Sequence, residues 1–95
     1  MLMKNNHRVT MKDEDGCKTV YLNGKRIVKY SPTSRHVHFD THGNFSPVTR
    51  QQMNLAMLRN ELPIRIIATA THWYVENTKL KTIRQFSASE CFIGT

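Results

Sequence analysis

The chain is 95 residues long, enough for one small domain with a modest core and little room for a deep substrate cavity. Hydrophobic residues make up 39% of it, and no apolar stretch approaches the ~18 residues of a membrane span, so a soluble domain is expected. Fourteen Lys and Arg against seven Asp and Glu give a net charge of +7 and a pI near 9.9, which favours nucleic acid or another acidic partner.

Residues 1–8 read as a loose end. Met1-Leu2-Met3-Lys4-Asn5-Asn6 lacks the apolar run of a signal peptide, which points to the cytoplasm. Up to residue 15, Lys4, Arg8 and Lys12 are cancelled by Asp13, Glu14 and Asp15. The positive excess therefore lies in residues 16–95, where eleven bases meet four acids. Val9-Thr10-Met11 has the composition of a short strand, closed by the turn-prone Asp13-Glu14-Asp15-Gly16.

Cys17 to Tyr30 is the first strong signal. Two β-rich runs flank Asn23-Gly24, the pair that best tolerates the two positive φ values of a type I′ hairpin turn. A regular hairpin sets Tyr21 opposite Arg26, Val20 opposite Ile27 and Lys18 opposite Lys29. One face then carries Lys18, Val20, Leu22, Lys25, Ile27 and Lys29. The other carries Cys17, Thr19, Tyr21, Arg26, Val28 and Tyr30, and register alone leaves open which of the two is buried. If Val20, Leu22 and Ile27 face the core, then Tyr21, Arg26 and Tyr30 form an open surface on which single-stranded nucleic acid could stack.

After Ser31-Pro32-Thr33-Ser34 breaks the strand, His36-Val37-His38-Phe39-Asp40 alternates polar and apolar residues as a third strand. His36, His38 and Asp40 share a face, and with His42 they resemble the His-x-His-x-Asp-His metal motif of metallo-β-lactamase-type hydrolases. One extra residue stands before the last histidine, and that fold needs about twice this length. The expectation is the polar, solvent-facing side of a strand whose core face is Val37 and Phe39, with no bound metal. Cys17 and Cys91 form no CxxC pair and read as separate thiols. No nucleophile, paired carboxylate or phosphate-cradling loop stands out, so neither an enzyme nor a cofactor is expected.

Ser46 as cap and Pro47 at the first helical position begin a helix that should run to about Asn60 and stop before Pro63. Val48, Leu55, Leu58 and Leu62 form one apolar stripe, expected to pack on a sheet. Met53, Ala56 and Met57 form a second, either covered by the terminal strands or presented to a second copy. Ile64-Arg65-Ile66-Ile67-Ala68, His72-Trp73-Tyr74-Val75-Glu76 and Lys81-Thr82-Ile83-Arg84-Gln85-Phe86 read as strands, and Cys91-Phe92-Ile93 as a further edge strand. The fold class is α+β: an antiparallel hairpin and strand, one central helix, then a second antiparallel segment, in the order β-β-β-α-β-β-β.

Gly24-Lys25-Arg26-Ile27, the run from Asp40 to Thr49, Met53-Asn54 and Trp73-Tyr74-Val75 occur in an order that resembles a group of small uncharacterised tailed-bacteriophage accessory proteins. The resemblance spans roughly residues 20–76. It implies an accessory role in the cytoplasm of a bacterial host, a setting rich in nucleic-acid binders and in inhibitors of host enzymes, and it assigns no residue a role. The candidate nucleic-acid-binding residues are Lys18, Lys25, Arg26, Lys29, Tyr30 and Arg35, with Lys79, Lys81 and Arg84 as outlying bases. The alternative is an interaction module that docks on an acidic host or phage protein, or pairs with itself through Met53 and Met57.

Overall fold

The computed structural model describes residues 8–93, with side chains for residues 8–90. Its elements are β1 (Val9–Glu14), β2 (Cys17–Leu22), β3 (Lys25–Ser31), β4 (His36–Asp40), α1 (Pro47–Arg59), β5 (Ile64–Ala68), β6 (Trp73–Asn77), β7 (Thr82–Phe86) and β8 (Ser89–Ile93). The fold is α+β, with one helix between two runs of antiparallel strands, as the sequence pattern predicts. The short strand expected at Val9-Thr10-Met11 is β1, which runs on to Glu14, and the edge strand expected at Cys91-Phe92-Ile93 is β8, which begins at Ser89. Among the described residues no helix is long and apolar enough to cross a membrane.

The strands form two sheets, a five-stranded one in the order β1-β2-β3-β4-β8 and a three-stranded meander β5-β6-β7. Tight turns build the first. Asn23 and Gly24 both adopt positive φ (53° and 84°), and the Asn23 side chain accepts the Arg8 N–H at 2.8 Å. Asp15-Gly16 turns β1 into β2 with the same pair of signs. β8 arrives from the far end of the chain and pairs with β4, Val37 opposite Phe92 and Phe39 opposite Glu90. The Thr41 N–H and hydroxyl both reach the Ala88 carbonyl, fixing that crossing. The loose end expected for residues 1–8 lies, Arg8 apart, outside the described residues.

The β2–β3 hairpin departs from a regular ladder. Tyr21 faces Arg26 as expected, but Val20 faces Val28, Thr19 faces Lys29 and Lys18 faces Tyr30. Ile27 is the extra residue of a β-bulge. Burial explains it: the bulge lets the neighbours Ile27 and Val28 both enter the core, and it reverses the alternation beyond them. The expected pairing of Lys18 with Lys29 is therefore corrected, and so is the placement of Tyr30. Tyr30 is a core residue, 5% exposed, while Lys29 moves to the outer face.

Helix α1 lies between the two sheets, against β5 on one side and β2 and β3 on the other. Ser46 caps it, its Oγ accepting the Thr49 N–H at 3.2 Å, and Pro47 occupies the first turn. Its end is a left-handed cap: Glu61 has φ of 55°, and the Leu62 N–H reaches the Met57 carbonyl at 2.9 Å. Of the stripe expected to pack on a sheet, Leu62 is buried and Val48 packs against the core. The second stripe is covered by the chain itself, though by β2, β3 and β5 rather than by the terminal strands. Met53, Ala56 and Met57 are buried between the sheets, whereas Leu55 and Leu58 face solvent. A homodimer through Met53 and Met57 is thereby overturned, because both side chains are consumed by the chain's own core. The same core holds Val37, Phe39, Trp73 and Phe86, with Phe39 edge-on to Phe86.

Candidate functional site

Three of the six candidate basic and aromatic residues leave the expected cluster. Tyr30 is in the core. Lys18 stays exposed but shares the helix-side face of β2 with Val20 and Leu22, and its Nζ pairs with Asp13 at 3.1 Å. Arg35 sits in the β3–β4 turn with φ of 60° and points its guanidinium toward the Tyr30 hydroxyl at 3.5 Å. Lys25 is exposed beside the Asn23-Gly24 turn. Only Arg26 and Lys29 remain together, on the outer face of the five-stranded sheet.

That face gains residues from β1. Lys12 stands opposite Thr19, Thr10 opposite Tyr21 and Glu14 opposite Cys17, so Lys12 and Glu14 share a face with Tyr21. Lys12 Nζ lies 4.9 Å from the centre of the Tyr21 ring, a cation–π distance. The Tyr21 hydroxyl donates to Glu14 Oε1 at 2.8 Å. That bond holds the Glu14 carboxyl below its usual range, with smaller help from Thr19, Lys12 and Arg26 and against partial desolvation. The same bond, with desolvation, pushes the Tyr21 phenol upward. The buried Thr19 hydroxyl donates to the Lys12 carbonyl at 3.0 Å, which ties the two strands under this cluster.

Beyond β3 the outer face continues through the histidine string. His38 stands opposite Lys29 and its Nε2 is 2.9 Å from the Ser89 hydroxyl on β8. Asp40 Oδ1 accepts the His42 N–H at 2.9 Å, and His42 Nε2 lies 2.7 Å from the Arg26 carbonyl. His38, Asp40 and His42 are thus engaged in turn and strand hydrogen bonds, and among the described residues no three His, Cys, Asp or Glu side chains are grouped to share an ion.

The arrangement is thus one aromatic ring bordered by Lys12 and Arg26, a second row of Lys29 and His38, and two carboxylates, Glu14 and Asp40, within the same surface. It can offer a flat ring and several cations to a polyanion. Sequence reading missed Lys12 because it was counted in a charge-balanced end segment. The signal for it was the alternation of Val9, Thr10, Met11 and Lys12, which continues through the Asp15-Gly16 turn into β2. No family model, curated protein or solved structure matches the chain.

Proposed function

We propose that the protein is a binding protein rather than an enzyme, and that it takes single-stranded nucleic acid, with little sequence preference, on the outer face of its five-stranded sheet. The observation that supports this reading is the Tyr21 ring set between Lys12 and Arg26, with Lys29 in the next row. A base stacks on the ring while the exposed ammonium of Lys12 swings to a phosphate, and Arg26 and Lys29 carry the adjoining phosphates. The role suits a phage accessory protein in a bacterial cytoplasm, the setting implied by the resemblance.

Fluorescence anisotropy of a labelled oligonucleotide across a salt series tests it. Three neutralised phosphates give a log–log slope of about −2 for a single strand. Arg26→Ala with Lys29→Ala should flatten that slope to about −0.7. Tyr21→Ala should weaken binding by ~1–3 kcal/mol, the worth of a stacked base, and leave the slope in place. Glu14→Gln should tighten binding at low salt, since it removes a carboxylate from the surface the strand approaches. Absence of binding to single strands at low salt sinks the proposal, and a double variant that binds like the parent removes it from this face.

A second reading has its own observation. Leu58 is 73% exposed, and with Leu55, Arg50 and Arg65 it lines a groove along a helix that contains no acidic residue. An acidic amphipathic segment of a partner protein fits that chemistry. Such a peptide should bind the parent chain and lose its affinity for Leu58→Glu, while nucleic-acid binding is unchanged.

A further inference from the structure

A cavity of about 550 Å³ opens where the loop before α1 meets the β5–β6 turn and the β7–β8 link. It lies within the size range of small-ligand sites. Its aromatic part is a fixed stack. Trp73 lies nearly parallel to Phe86, with ring centres 6.3 Å apart and planes at 22°, and Phe45 stands edge-on to Trp73 at 4.9 Å. Trp73 and Phe86 are buried, whereas Phe45 remains 46% exposed at the cavity, an aromatic surface that the chain itself leaves partly uncovered.

The polar part of the lining has one sign. The Arg50 guanidinium sits 6.0 Å from the Trp73 ring centre, over its face. Among the described residues no carboxylate lies within ion-pair distance of it, and no Asp or Glu lines the cavity. Glu90 is not a lining residue, and its carboxylate is occupied by the N–H and hydroxyl of the lining residue Ser87 and by Arg84. His72 adds a second nitrogen base, oriented by its 2.8 Å contact with the Thr71 hydroxyl. Gln85, also in the lining, brings an amide with donor and acceptor together.

We infer that this cavity binds a nucleobase carrying a phosphate, with the ring against Phe45 and the phosphate on Arg50. A neutral aromatic ligand would leave the unpaired guanidinium unused, and inorganic phosphate would leave the exposed ring unused. A base with its phosphate engages both, and the Gln85 amide matches the donor–acceptor edge that every base presents. The ligand is a free mononucleotide or the phosphorylated end of a strand. The site shares no residue with the outer face of the five-stranded sheet and stands independently of that surface.

Trp73 is the only tryptophan of the chain, so its emission reports on the cavity directly. Titration of the full chain with adenosine or uridine 5′-monophosphate should change that emission saturably, with adenosine alone and inorganic phosphate alone at least about tenfold weaker. Arg50→Gln should cost the monophosphates at least about tenfold and adenosine little. Phe45→Ala should weaken monophosphate and nucleoside alike, and Phe45→Tyr should restore both. Far-UV circular dichroism and the melting temperature of each variant show that its fold is intact. Competition identifies the source: a linear 5′-phosphorylated oligonucleotide that displaces the nucleotide marks a strand end, and one that does not marks a free nucleotide. Arg26→Ala with Lys29→Ala should leave nucleotide affinity unchanged, so failure of the sheet surface and failure of the cavity are read separately. The inference is overturned by emission that never saturates with monophosphate, by Arg50→Gln and Phe45→Ala chains that bind like the parent, or by a circular single strand that competes as well as the linear one.

Discussion

The two sheets are made in different ways. In the first four strands every turn contains residues suited to it: Asp15-Gly16, Asn23-Gly24 and His42-Gly43 place their glycines at positive φ, and only Arg35 enters that region without an adjacent glycine. The three-stranded sheet is assembled without such help. No glycine lies between residues 44 and 93, and the left-handed positions there are occupied by Glu61 and Lys81. What holds that sheet is tertiary. The Asn54 side chain on α1 both donates to the Ile66 carbonyl (3.0 Å) and accepts its N–H (2.7 Å), so the helix closes the edge strand β5 as a neighbouring strand would. The first four strands are written into local chemistry, whereas β8 and the second sheet depend on what packs beside them.

Removing the helix clamp should have the largest effect on this contrast. Asn54→Ala leaves a partly buried N–H and C=O on β5 without partners and should destabilise the chain by ~1–3 kcal/mol in urea unfolding. Amide exchange should then accelerate in β5 and β6 more than in β2 and β3. Equal acceleration throughout would show that the two sheets open as one unit. Next in size, Gly24→Ala should cost about 1–2 kcal/mol through its left-handed conformation alone, since a Cβ there meets nothing within 4 Å. The opposite changes in the second half, Glu61→Gly and Lys81→Gly, should each raise stability by up to about 1 kcal/mol, because they relieve the same penalty. A loss at both sites would mean that those side chains contribute more than their backbone costs.

The smallest expected effect is a pH dependence at the link between the sheets. Partial burial pushes the Glu90 carboxyl upward, but the Ser87 N–H, the Ser87 hydroxyl and the Arg84 charge together bring it below the usual 4.5 of a glutamate. A carboxyl lowered in the folded state contributes stability that is complete above pH 4.5 and is lost as the pH falls through the lowered value. Glu90→Gln should flatten the acid limb of the melting curve slightly and leave neutral pH almost untouched. An unchanged acid limb would show that this carboxylate does not couple the sheets.

The candidate surface was only partly legible. Arg26 with Tyr21 follows from the two-residue turn, because the register close to an Asn-Gly pair is set by the turn. Lys29 and Tyr30 lie beyond the bulge, and there the reading inverted both. Lys12 was invisible until β1 was seen to pair along its whole length with β2.

By itself the sequence determined the elements whose causes are local: the Asn23-Gly24 turn, the start of α1 at Ser46 and Pro47, the α+β order and the excess of positive charge. Turn residues and caps act over a few positions, so they can be read from a few positions. Tertiary structure alone decided the bulge at Ile27, the burial of Met53 and Met57 in place of Leu55 and Leu58, the return of β8 to β4, and the meeting of Phe45, Arg50 and Trp73. Each of those is a choice between two patterns of similar local quality. The choice is made by which apolar side chains find a partner across the core, and that partner lies tens of residues away in the chain.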